Sequence, residues 1–267
     1  MKKPITLIEL DGNKKLSYTN DYSSHLSTFA YLYLQPNGWF NDFPCDEEGI
    51  IPWYTFPAVQ FLKDIIHEDQ KVLEFGSGYS TLFFKTKVKH LSSVEHDENW
   101  AHKLLQENSL LNLHIVKQNS NVHPDAKEKV DIYTQNFPQV HSDDYEHDLR
   151  HGLINYSFAG YASTIYKAEP QFYDIVVIDG MARSLCTYLT VESGRLKDES
   201  IIILDNSDRW QYNPIQKYLN EKGYGRIDFW GPGWNSYNFW CTSFYSKKYA
   251  INNNRLLRPE TSSIIFT

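Results

Sequence analysis

From residue 71 onward, short apolar runs alternate with stretches whose apolar positions recur every three or four residues. The runs KVLEF (71–75), HLSSVEH (90–96), LHIVKQ (113–118), YDIVVIDG (173–180), SIIILDN (200–206), GRIDFWG (225–231) and NFWCTSFYS (238–246) read as strands. Between them, 80–88, 97–109 with Asp97 as N-cap, a stretch ending near Arg195, and 213–223 read as helices. Strands that are apolar throughout need cover on both faces, and strand–helix alternation supplies that cover around a parallel sheet. The last two strands are joined by too short a connection for a crossover, which predicts an antiparallel hairpin at the sheet edge. The expected fold is therefore α/β: a mostly parallel seven-stranded sheet with one antiparallel edge strand and helices on both faces.

Upstream, IPWYTFPAVQFLKDIIHED predicts an amphipathic helix ending near Ile66, with Val59, Leu62, Ile65 and Ile66 on one face. Residues 1–50 show no period and carry turn signals at Pro36-Asn37-Gly38 and Pro44. The reading is one domain: an N-terminal cap segment (1–66), a core (71–246) and a C-terminal tail (247–267). Residues 119–172 break the alternation, and a structureless loop of that length is uncommon. This insertion is expected to carry small elements of its own and to sit over the carboxyl ends of the strands.

Composition narrows the function. Apolar residues are 41% of the chain, which supports a buried core. A net charge of −7 without a basic stripe argues against gripping nucleic acid through its phosphates. No apolar run approaches the roughly 18 residues of a membrane helix, and MKKPITLIELDGNKK lacks the apolar core of a signal peptide. Cys45, Cys186 and Cys241 are odd in number and far apart, which suits a reducing compartment. The expectation is a soluble cytoplasmic protein, with no signal for its oligomeric state.

The chemistry begins at KVLEFGSGYSTLFF (71–84), a strand running through a glycine turn into a helix. In open α/β sheets, ligands sit at the carboxyl ends of the strands beside such a turn. Gly76 and Gly78 permit a sharp turn and a close ligand approach. Glu95 closes the next predicted strand, where a carboxylate can accept both hydroxyls of a ribose. The pair reads as a nucleoside site. A dinucleotide motif needs a third glycine where this chain has Thr81, and Glu74 would repel a pyrophosphate but attract an ammonium group.

VLEFGSGYS resembles the first motif of the class I, Rossmann-like S-adenosylmethionine-dependent methyltransferases, and SSVEHD resembles their second. The resemblance spans roughly residues 50–246 by motif order. It implies S-adenosylmethionine as cofactor and methyl transfer to a small-molecule acceptor. It implies Glu74 near the methionine amino group and a cofactor passing Gly76, Ser77 and Gly78. It also implies Ser80 in place of a third glycine, Glu95 on the ribose, and His96 and Asp97 flanking the adenine. Trp53, Tyr54 and Thr55, just before the first strand, are candidates for a lid over the methionine end, since an aromatic face attracts a sulfonium. Ordinary packing of an N-terminal helix is the alternative.

Two further strands end in IDG and LDN, bringing Asp179, Asp205 and Asn206 to the same sheet edge. This hard-oxygen set suits Mg²⁺ or another divalent ion. The spacing resembles, more weakly, the metal-dependent O-methyltransferases of the catechol and caffeoyl type, which implies a hydroxyl acceptor. GMAR after Asp179 departs from their lysine-bearing turn, and DNSDRW adds Asp208 and Arg209. Without a metal, Asp179 acts as a base or meets the cofactor's amino group, and Asp205 pairs with Arg183 or Arg209. Asp179, Asp205 and Arg183 are the catalytic candidates.

Two other classes stay open: a catalytically silent cofactor-binding or interaction module, and a nicotinamide-dependent oxidoreductase, which Glu74 and Thr81 disfavour. In HSDDYEHDLRH, His141, His147 and His151 suggest a charged lid segment, with a zinc site as the alternative.

Overall fold

The computed structural model describes residues 43–107, 111–137, 156–236 and 239–248. Most of the cap segment, the histidines of HSDDYEHDLRH and nearly all of the C-terminal tail lie outside the described residues.

Seven strands form one sheet: β1 (Lys71–Phe75), β2 (His90–Glu95), β3 (Leu113–Ile115), β4 (Tyr173–Ile178), β5 (Leu196–Leu204), β6 (Gly225–Gly231) and β7 (Trp240–Ser246). Their order is β3-β2-β1-β4-β5-β7-β6. The first five are parallel, and β7 runs antiparallel to β5 on one side and β6 on the other. The expected edge hairpin is present, with β7 inserted beside β5 and β6 outermost.

The order reverses between β1 and β4, so the loops leaving these strands diverge and open a crevice at their carboxyl ends. β1 and β4 alternate their apolar side chains between two cores. Leu73, Phe75, Val176 and Ile178 face one core, and Val72, Ile175 and Val177 face the other. That two-sided burial is why these strands read as unbroken apolar runs.

The second core is covered by α1 (Phe56–Ile65) and α2 (Tyr79–Lys85). The first is covered by α4 (Lys127–Asn136), α5 (Arg183–Glu192) and α6 (Asn213–Glu221). α3 (Glu98–Glu107) packs Leu104 against Leu82 of α2. As expected, Asp97 caps α3: its Oδ1 accepts the Asn99 and Trp100 N–H groups at 2.9 and 3.1 Å.

The segment 119–172 carries helical elements of its own. Its described part forms the helical crossover from β3 to β4, and a parallel connection requires such a crossover. α4 packs Val130 and Tyr133 onto the first core, and the helical turn Ala159–Ala162 adds Ala159, Tyr161 and Ala162. The segment's described residues cover a sheet face, and among them Phe158 lines the crevice.

Candidate functional site

A cleft of about 640 Å³ lies at the carboxyl ends of β1, β2 and β4. Its floor is the turn after β1. Gly76 stands at φ +96, and a Cβ there would meet Gly180 N at 2.5 Å. Conversely, a Cβ on Gly180 would come within 2.8 Å of Gly76 N. The loops after β1 and β4 therefore touch backbone to backbone, which only a glycine pair allows.

The turn's N–H groups are closed by the protein itself. Ser77 N–H donates to Glu95 Oε2 at 2.9 Å and Gly78 N–H to Thr81 Oγ1 at 2.8 Å. The indole N–H of Trp100 donates to the Ser77 carbonyl at 2.7 Å, and the Ser77 and Ser93 hydroxyls bond at 2.7 Å. Glu95 is buried and also accepts the His96 and Asp97 N–H groups on Oε1, at 2.8 and 2.9 Å. Three of about four acceptor sites on its carboxylate are thus used, and one remains on the cleft side. The His96 ring is half in the cleft. Its Nδ1 is 2.7 Å from Glu95 Oε1 but outside hydrogen-bonding geometry, and its face meets Phe158 and Tyr161 edge-on.

Of the cofactor candidates, Gly76, Ser77, Gly78, Ser80, Glu95 and His96 line the cleft. Glu74 does not. It is 0% exposed beneath the turn and accepts the hydroxyls of Ser80, of Thr81 at 2.5 Å and of Ser93 at 2.7 Å. Two positions before Gly76 on a strand, its side chain shares the direction of Val72, toward α2 and away from the ligand side. Burial pushes its carboxyl up to about 7, against the three hydroxyl donors.

Tyr54 and Thr55 are likewise outside the cleft and fully buried. Thr55 Oγ1 donates to the Phe229 carbonyl at 3.0 Å, and its N–H donates to Thr242 Oγ1 at 3.3 Å, which fastens the segment to β6 and β7. Trp53 is the member of this trio that reaches the cleft. It is 46% exposed and packs edge-on against Trp234, with ring centroids 5.3 Å apart.

At the far end, Asp179 and Arg183 line the cleft and pair at 2.9 Å. Burial raises the Asp179 carboxyl above its ordinary range, although Arg183 pulls it down. Asp205 is turned away from the cleft. Its Oδ1 accepts the Trp240 indole N–H at 3.0 Å and the Thr242 hydroxyl at 2.5 Å, both from β7. The Asn206 amide oxygen accepts from Arg183 at 3.2 Å.

These positions do not fit a divalent ion held by Asp179, Asp205 and Asn206. The Asp205 carboxylate faces β7, and the guanidinium of Arg183 already engages the other two side chains. Among the described residues, no three His, Cys, Asp or Glu side chains cluster so as to hold a metal. Trp100, Phe158 and Gly180 were not singled out from the sequence. Trp100 had a readable signal, three positions into a helix capped by Asp97, whereas the Phe158 and Gly180 contacts are made only across the fold.

No protein-family model and no curated protein matches the chain. Solved structures similar to it include a methyltransferase-like protein from Silicibacter pomeroyi, at 21% identity, covering 70% of this chain and 83% of that one, TM-score 0.41. Another is the O-methyltransferase TomG from Streptomyces achromogenes in complex with SAM, at 12% identity, 84% and 96% coverage, TM-score 0.45. A third is a SAM-dependent methyltransferase from Aquifex aeolicus, at 11% identity, 72% and 89% coverage, TM-score 0.39. Among the described residues, no helix is long and apolar enough to cross a membrane.

Proposed function

We propose that the chain is an S-adenosylmethionine-dependent methyltransferase acting on a hydroxyl of a small-molecule acceptor. One observation carries the choice of cofactor. The glycine turn, where a dinucleotide would set its pyrophosphate on free N–H groups, spends its Ser77 and Gly78 N–H groups on Glu95 and Thr81. The cleft beside it is lined by Glu95, Asp97 and Asp179, together with Arg183, which Asp179 engages, and Arg209. Carboxylates beside a turn whose Ser77 and Gly78 N–H groups are already used suit a nucleoside bearing positive charge. The cleft volume lies within the range of small-molecule sites, roughly 300–1,000 Å³.

In this reading Glu95 holds the ribose through its remaining acceptor site. His96, Trp100 and Phe158 enclose the base, and Trp53 offers an aromatic face toward the cationic end. When bound, S-adenosylmethionine supplies a methyl carbon activated by its sulfonium. Asp179 takes the proton from the acceptor hydroxyl. Its raised affinity for protons suits a base working near neutral pH. Positioning of the two reactants supplies the rest of the rate. Asp205 and Glu74 have structural roles.

Calorimetric titration with S-adenosylhomocysteine, NAD⁺ and NADH tests the reading. Micromolar binding of S-adenosylhomocysteine alone is expected. Binding of NADH without S-adenosylhomocysteine would overturn it.

A further inference from the structure

The guanidinium of Arg183 has no unused donor. Its Nε–H donates to the Gly180 carbonyl at 3.0 Å. Nη1 donates to the Asp205 carbonyl at 2.6 Å and to Asn206 Oδ1 at 3.2 Å. Nη2 donates to the Asp179 carbonyl at 2.8 Å and lies 2.9 Å from Asp179 Oδ1. These contacts account for all five N–H groups of a guanidinium.

The acceptors belong to the two loops that follow β4 and β5. Each loop holds a non-glycine residue in the left-handed region, Ala182 at φ 50 and Asn206 at φ 51. Such backbones persist only where the surroundings over-determine them. Arg183 contacts both loops at once and is 5% exposed. The oxygens it gathers, from a carboxylate, an amide and backbone carbonyls, are the hard donors a divalent ion would seek.

We infer that Arg183 is the resident cation of this site: a positioning residue whose guanidinium fills the place of a divalent ion between the ends of β4 and β5. It fixes Asp179 and Asn206, so the cleft works without a metal. With its five N–H groups engaged, the guanidinium has no open position at which to bind an acceptor hydroxyl as a metal ion would. On this assignment the acceptor needs only one hydroxyl, because the guanidinium occupies the place from which an ion would bridge a neighbouring pair. This last step rests on the methyl-transfer reading, whereas the cation assignment rests on geometry alone.

The test is titration of the full-length protein with Mn²⁺ alone, followed by electron paramagnetic resonance. Wild type is expected to leave the free-ion spectrum unchanged at millimolar Mn²⁺. Arg183→Met, which keeps an unbranched stem and removes the charge and donors, should bind Mn²⁺ at least tenfold more tightly, and adding Asp179→Asn should abolish the gain. A residue that only braced the loops would give no such gain.

Mn²⁺ binding by wild type that Asp179→Asn weakens would overturn the inference. So would a folded Arg183→Met that binds no Mn²⁺. If Arg183→Met does not fold, Arg183→Lys decides. Its retained charge should keep Mn²⁺ binding no tighter than in wild type, and tenfold tighter binding would refute the idea. Titration of the same wild-type sample with S-adenosylhomocysteine is independent: its failure removes the proposed function and leaves the Mn²⁺ result to judge Arg183.

Discussion

Glu74 offers a quantitative check on the electrostatics beneath the turn. It is 0% exposed, and burial holds its carboxyl at about 7 against an ordinary value of 4.5. Because the folded-state value is the higher one, the unfolded chain loses this proton first as pH rises. The folded state is then penalised progressively from about pH 4.5 to about pH 7, and the loss is complete above that. At 1.36 kcal/mol per unit, the total is about 3 kcal/mol. No solvent discount applies to a group without exposure.

Glu74→Gln removes the titration and keeps the shape. With the amide oxygen facing Thr81 and Ser93, only the Ser80 hydroxyl must turn to accept a hydrogen bond. The assay is equilibrium urea unfolding of wild type and variant from pH 4.5 to 8.5. Other titrating groups are common to both proteins and cancel in the difference. The variant should gain about 3 kcal/mol on wild type across that range. A difference that stays flat, or that moves against the variant as pH rises, would refute the account of a strained buried acid.

Other expected outcomes follow from contacts at the cleft. Gly76→Ala combines a positive φ with a Cβ 2.5 Å from Gly180 N; it should cost about 2–4 kcal/mol in chemical denaturation. Thr242→Val removes a 2.5 Å donor from the buried Asp205, and a loss of about 2 kcal/mol is expected near neutral pH. Trp100→Phe forfeits the 2.7 Å bond to the Ser77 carbonyl; stability should fall by about 1 kcal/mol, with weaker S-adenosylhomocysteine binding by calorimetry. Trp53→Ala, at a half-exposed position, should leave stability within about 0.5 kcal/mol while lowering that same affinity.

The order of elements was legible because burial on both sheet faces writes itself into local spacing. YDIVVI and SIIIL could be read as covered strands without knowing what covers them. The turn at Gly76–Gly78 and the acid at Glu95 were legible for the same reason, since strand, turn and helix lie within one short stretch. The crossover helix was harder. Val130, Tyr133 and Phe137 recur at helical spacing, yet polar residues around them and the long segment that follows obscured the period.

What spacing could not decide was which acid meets the ligand. Glu74, Glu95, Asp179 and Asp205 all lie at or near strand ends in sequence, yet one is sealed under the turn, one is turned to β7 and two face the cleft. Sequence fixes a residue's place along its strand, because period and turn chemistry are local. The partner that claims its carboxylate is not written in that place: Thr242 of β7 takes Asp205, Ser93 of the next strand joins Ser80 and Thr81 on Glu74, and Arg183, one helical turn on, takes Asp179. Thr242 and Ser93 reach their acids only after the sheet has closed, so tertiary structure separated the acids that face the cleft from those that hold the fold.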